Sequence, residues 1–174
     1  MVQTVADVAL TGLVCTAAWL DLTTQRIPNW LSVTGLAAAL VLRASLGLDP
    51  LVHGVKGLGF ALAVSLVLYA LRAIGGGDVK LLAAVGTFFG FPSILAAFAI
   101  IALVGGALAL ASVVRQRVLP MLILNTIDLV KSWRTAGRMG QLRTLDTPGA
   151  LTMPYGVPIA LGTLIWWFGE GVRL

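Results

Sequence analysis

Two aspartates stand where an oily chain has least reason to keep them. Asp21 closes an apolar run in Trp19-Leu20-Asp21-Leu22, and Asp78 follows three glycines in Gly75-Gly76-Gly77-Asp78-Val79-Lys80. The chain holds only seven acidic residues in all. A carboxylate at membrane depth is costly, and it marks function when a partner can be named. Here each can partner the other. Two carboxylates held together do not both ionise cheaply, so they share a proton and titrate as a unit. Hydrolysis of a peptide bond by water needs that arrangement. The ionised acid takes a proton from water, the protonated acid donates to the carbonyl oxygen, and a proton then reaches the leaving amine. Plainer roles also exist: Asp21 can face interfacial water, and Asp78 can cap the helix it opens, which is compatible with catalysis.

The elements that must position these acids follow from composition. The 174 residues are 59% hydrophobic and 11% charged, with a mean hydropathy of +0.98. A soluble domain is about 45–50% apolar and about 25% charged. The expected fold is therefore all-α: a polytopic membrane helical bundle of about six transmembrane helices, read as one domain over residues 1–174. The spans fall at about 3–20, 30–48, 55–73, 79–91, 94–114 and 150–168. The first is read as a retained helix. It carries Asp7 and lacks the opening Lys or Arg of a secretory signal.

Charge sets the expected orientation. The net charge is +5. With the N-terminus outside, the connections after spans 1, 3 and 5, with their flanks, hold Arg26, Arg72, Lys80, Arg115, Arg117, Lys131, Arg134, Arg138 and Arg143, against Arg43, Lys56 and Arg173 elsewhere. That bias places both termini outside and both aspartates on the cytoplasmic side. It also accounts for the basic pI, so nucleic acid is not expected as a partner. Trp19 and Trp30 are expected at the inner interface, Trp166 and Trp167 at the outer one. Arg43 is expected to snorkel to headgroups. Gly47-Leu48-Asp49-Pro50 reads as an outer turn, and His53, the only histidine, as a solvated loop residue. Cys15, the only cysteine, excludes an internal disulfide and is read as packing in span 1. No metal or other cofactor is expected, because four clustered ligands are absent.

Span 4 is short. From Val79 to the breaker Gly90-Phe91-Pro92 it covers about 20 Å, against a hydrocarbon core of about 30 Å. Its start at Asp78 is thus expected to be recessed. Three poorly helix-forming glycines precede it, and irregular backbone at depth is tolerated where it lines a cavity. An opening toward the cytoplasm at Asp78 is the expectation. Between 115 and 149 a long inner segment carries Leu122, Ile123, Ile127, Leu129, Val130 and Trp133 at helical spacing among Asn125, Asp128, Lys131 and Arg134. It reads as an amphipathic cytoplasmic helix lying on anionic lipid.

Three segments together resemble one known family. Gly75-Gly76-Gly77-Asp78-Val79-Lys80-Leu81 is similar to the Gly-x-Gly-Asp-x-Lys-Leu motif of type IV prepilin peptidases. Asp21 followed by Ile27-Pro28-Asn29 resembles that family's other aspartate and its Ile-Pro-Asn segment, and Pro154-Tyr155-Gly156 resembles the stretch opening its last helix. The resemblance implies Asp21 and Asp78 as the catalytic pair. It also implies a pilin-like precursor as substrate, with its basic leader removed at the cytoplasmic face of the bacterial inner membrane. The chain lacks the paired Cys-x-x-Cys motifs of the bifunctional members, so no methyltransferase half is expected. The compact form resembles the tight-adherence (Flp) branch, with archaeal preflagellin peptidases as relatives.

Around the pair, Gly75, Gly76 and Gly77 are expected to let an extended substrate approach. Ile27, Pro28 and Asn29 are expected to form a fixed loop at the mouth of the site. Lys80 either stabilises negative charge or snorkels, and Tyr155, after Pro154, supplies a phenol. The rival readings are a small proton-coupled transporter or channel and a structural membrane subunit. A transporter favours acids or broken helices at midplane in two repeated halves, whereas both acids here lie toward one face.

Overall fold

In lipid a backbone has no water to bond, so each apolar run satisfies its own peptide groups as a helix. The computed structural model describes residues 1–71, 73–115 and 155–169. Among these residues there are six helices and no strand: α1 (Val2–Thr24), α2 (Asn29–Leu46), α3 (Leu48–Ala70), α4 (Gly76–Phe89), α5 (Ser93–Arg115) and α6 (Gly156–Gly169). α1, α2, α3 and the Ser93–Ser112 part of α5 are long and apolar enough to cross a membrane. α4 and α6 have 14 residues each. The chain is a polytopic helical bundle of the expected class. The amphipathic segment after Arg115 lies outside the described residues, as do Arg72, Pro154 and Arg173.

The residues group into two units, Met1–Gly105 with Pro154–Leu174, and Gly106–Met153. Of the second, the described part is the end of α5, where the Ser112 hydroxyl donates back to the Leu108 carbonyl at 2.9 Å. All that follows concerns the first unit.

α4 is the central helix. Every residue from Leu81 to Gly90 is buried. A helix that is apolar on all sides belongs in the middle of a bundle. α3 and α2 cover it most extensively, with α1 and α6 beside it. α3 turns a face of Gly54, Gly57, Ala61 and Ser65 inward. Small residues let backbones approach closely, which is how helices gain packing energy where apolar burial gives none. A Cβ on Gly57 would collide with the Gly86 carbonyl oxygen, and one on Gly86 would sit 2.7 Å from the Gly57 oxygen. α1 and α6 run antiparallel. Near the start of α1 the Trp167 indole donates to Asp7 at 2.8 Å, joined by the Gln3 amide at 3.0 Å.

Several expectations are corrected here. Trp167 is 2% exposed and packs edge-on against Phe88 and Phe89, so it is a core residue and not an outer anchor. Cys15 is exposed instead of packed. The expected outer turn contracts to Gly47, whose φ of 123° suits glycine alone. α3 already starts at Leu48, and Pro50 falls in its first turn, where a missing N–H costs little. His53 is therefore helical. Its Nδ1 lies 2.6 Å from the Phe91 carbonyl, and the Phe91 N–H donates to the His53 carbonyl at 3.0 Å. Arg43 does not snorkel. It is 3% exposed and turns inward to the end of α4.

Candidate active site

One end of the bundle gathers the last turn of α1, the first turns of α2, α4 and α6, and the last turn of α3. α1 stops there because Gln25 takes the left-handed conformation (φ 52°), its N–H donating to the Asp21 carbonyl at 2.9 Å. The Thr23 and Thr24 hydroxyls fold back onto the Trp19 and Leu20 carbonyls, at 2.9 and 2.7 Å. These are back-bonds to carbonyls of the preceding turn, the usual local pairing of a helical threonine. Pro28, extended at φ −69° and ψ 143°, then sets the chain into α2.

Asp21 lies in that last turn of α1 at 7% exposure. Its Oδ2 accepts a 2.6 Å bond from the N–H of Gly156, the first residue of α6. A helix N-terminus offers unpaired N–H groups and a positive dipole end, which suits a carboxylate. Glycine is needed at 156: a Cβ there would lie 2.8 Å from the Asp21 Cβ and 2.9 Å from its Oδ2.

Asp78 lies in the first turn of α4 at 8% exposure. Its Oδ2 accepts from the Gly75 N–H at 2.9 Å, and Gly75 is the N-cap of α4. Asp78 thus reaches back over the first turn to the N-cap backbone and is not itself the cap. The two aspartates stand at the same end of the bundle, where Ile27 of the α1–α2 connection packs on Gly77. Each is fixed through one oxygen by one backbone N–H, and each Oδ1 is free of protein partners among the described residues.

The glycines behave differently from the expectation. Gly76 and Gly77 are helical, and only Gly75 is extended. At Gly77 the open side is filled by the chain's own loop: a Cβ would lie 3.1 Å from the Ile27 Cβ. Gly76 is exposed, with the edge of the Tyr69 ring 3.7 Å from where its Cβ would be. A groove of about 460 Å³ runs along the α1–α2 connection, lined by Leu20, Thr24, Arg26, Ile27, Pro28 and Asn29.

Ile27 is buried, Pro28 half-buried and Asn29 exposed. Lys80 is exposed, and its Nζ donates to the Asn29 Oδ1 at 2.6 Å, tying α4 to the start of α2. Tyr155, 38% exposed, precedes α6, and its carbonyl accepts from the Ile159 N–H at 3.2 Å. Among the described residues no three His, Cys, Asp or Glu side chains gather as a metal site. Two residues escape the sequence reading. Gly156 sits beside Tyr155 in a recognised motif, so its signal was present. Tyr69 carries none.

Fold and site define a multi-pass membrane protein with two buried carboxylates at one end of its bundle. The model of the type IV leader peptidase family matches residues 8–110, more than half the chain and including both aspartates, and the chain belongs to that family. It is accordingly a peptidase with a protein substrate. No curated protein and no solved structure matches it.

Proposed function

We propose that this chain is a membrane aspartic endopeptidase that removes the basic leader from type IV or Flp-type prepilins. Asp21 and Asp78 form the catalytic dyad. The observation that carries the reading is the pairing itself. Two buried carboxylates from distant parts of the sequence are brought to one end of the bundle, each oriented by a backbone N–H through one oxygen only. The remaining oxygens can hold a water between them. The ionised partner accepts a proton from that water as it attacks the peptide carbonyl. The protonated partner donates to the carbonyl oxygen, and the proton gained from water passes to the leaving amine. No cofactor is required and no methyl transfer accompanies the cut.

The basic residues argue for an N-terminus outside and a dyad facing the cytoplasm of a bacterial inner membrane. Trp19, Trp30, Tyr69 and Tyr155, all exposed, ring the dyad end as an interfacial belt does. The pair then lies toward the cytoplasmic face, where a substrate helix leaves the lipid and its leader junction becomes extended. Exposed Gly76 is the glycine suited to close approach of that chain, and the groove beside Ile27, Pro28 and Asn29 is suited to hold its continuation.

The test is the purified chain in lipid vesicles with a prepilin, followed by the mass of the product. Asp21→Asn and Asp78→Asn should each lower kcat by at least about 10³-fold while the protein stays folded in the membrane. Full cleavage by either variant would sink the dyad.

A further inference from the structure

Arg43 is a cation that the bundle swallows. A charge in the membrane interior is costly and persists where it meets another charge or a ring of carbonyls. Arg43 meets carbonyls. Its Nε donates to Thr87 O at 2.6 Å, Nη2 to Phe88 O at 2.8 Å and Nη1 to Pro50 O at 3.0 Å. Thr87 and Phe88 are in the last turn of α4, where carbonyls have no helical acceptor role left and the dipole end is negative. Two glycines reserve the space. A Cβ on Gly54 would collide with the Arg43 Cδ, and one on Gly90 would sit 2.7 Å from Nη2.

The same helix also holds the other end of α4. Asn29 begins α2 and receives Lys80, whereas Arg43 is in the last turn of α2. α2 and α4 thus run in the same direction, with α2 bonded near both ends of α4. α3 packs on α4 backbone against backbone at Gly57 and Gly86, and it also holds the chain just past α4 through His53 and Phe91, whereas among the described residues α2 alone brings side-chain bonds to both ends of α4. α2 is also joined to Asp21 by the short connection Gln25–Pro28, whose Ile27 packs on Gly77. It is therefore the frame that Asp21 and Asp78 share.

We propose that Arg43 is a positioning residue: by capping α4 from α2 it sets how far α4 stands along the bundle, and so how far Asp78 reaches toward Asp21. This rests on the dyad reading above. The guanidinium touches neither substrate nor reacting atoms. It acts through a helix of 14 residues, about 21 Å.

The experiment compares Arg43→Met, Arg43→Lys, Gly54→Ala and Asp78→Asn in the full-length chain in lipid vesicles. kcat and KM are measured on one purified prepilin, with thermal unfolding followed in parallel. A misplacement near 1 Å costs about 100-fold in rate. Arg43→Met should lower kcat about 10- to 100-fold with KM within about threefold of wild type. Arg43→Lys should recover part of that loss, since an ammonium reaches a carbonyl without spanning three. Gly54→Ala keeps the guanidinium but pushes it off the α4 carbonyls, so kcat should fall there too. Folded Arg43→Met or Gly54→Ala with wild-type kcat would overturn the proposal. Failure of both to fold would also overturn it, because Arg43 would then serve folding and not position. An active Asp78→Asn variant would instead remove the dyad reading itself, whatever the Arg43 variants do.

Discussion

Gly156→Ala separates holding the fold from holding the site. The new methyl would start 2.8 Å from the Asp21 Cβ and 2.9 Å from its Oδ2, and ordinary contact begins near 3.4 Å. The carboxylate or the start of α6 must give by about 0.6 Å at least, in a site where about 1 Å costs about 100-fold. The 2.6 Å bond from the residue 156 N–H lengthens with it. A hydrogen bond to a charged group is worth about 1.5–3 kcal/mol. Against that loss, alanine favours a helix over glycine by about 1 kcal/mol. Stability should therefore fall by no more than about 2 kcal/mol, while kcat drops roughly 10- to 100-fold. The assay is leader removal from a purified prepilin, read by mass, with thermal unfolding of the same sample in detergent. Gly12→Ala and Gly59→Ala are the matched controls. Nothing lies within 4 Å of a Cβ at either position, so both should keep wild-type kcat and gain about 0.5–1 kcal/mol. A Gly156→Ala enzyme within threefold of wild-type kcat would refute the claim that the N-terminus of α6 orients Asp21.

Two further outcomes test the packing that carries the site. Gly57→Ala drives a methyl into the Gly86 carbonyl and to 2.7 Å from the Gly90 Cα. It should destabilise by about 1–3 kcal/mol, read as a lower unfolding midpoint. Trp167→Phe removes the indole donor to Asp7 but keeps a ring against Phe88 and Phe89. It should cost about 0.6–1.7 kcal/mol, the range for a polar contact between membrane helices, and leave kcat unchanged.

The helices were legible because length and hydropathy decide them. Runs about 3–20, 30–48 and 94–114 became Val2–Thr24, Asn29–Leu46 and Ser93–Arg115. Hydropathy does not separate a helix facing lipid from one facing protein, since both surroundings are apolar, so the central place of α4 was hidden. Arg43 was misread for a related reason. A cation near a helix end looks alike whether it meets headgroups or carbonyls, and two of its three acceptors here lie more than 40 residues away in sequence. Trp167 near a helix end reads as an interfacial anchor until its acceptor on α1 is known. His53 and Asp49 read as loop because they are polar, yet Gly47 makes the turn alone. At Gly76 and Gly77, packing overrides the low helix propensity of glycine, and Ile27 occupies the side that a methyl would have taken.

The bond between Gly156 and Asp21 spans 135 residues. A ribosome delivers Asp21 first, Asp78 later and Gly156 last among the three. Until α6 enters the bilayer, Asp21 has no backbone donor from it to fix its carboxylate, although both acids are already in the membrane. The last helix acts as a completion signal, so a half-made chain holds its acids without their final alignment.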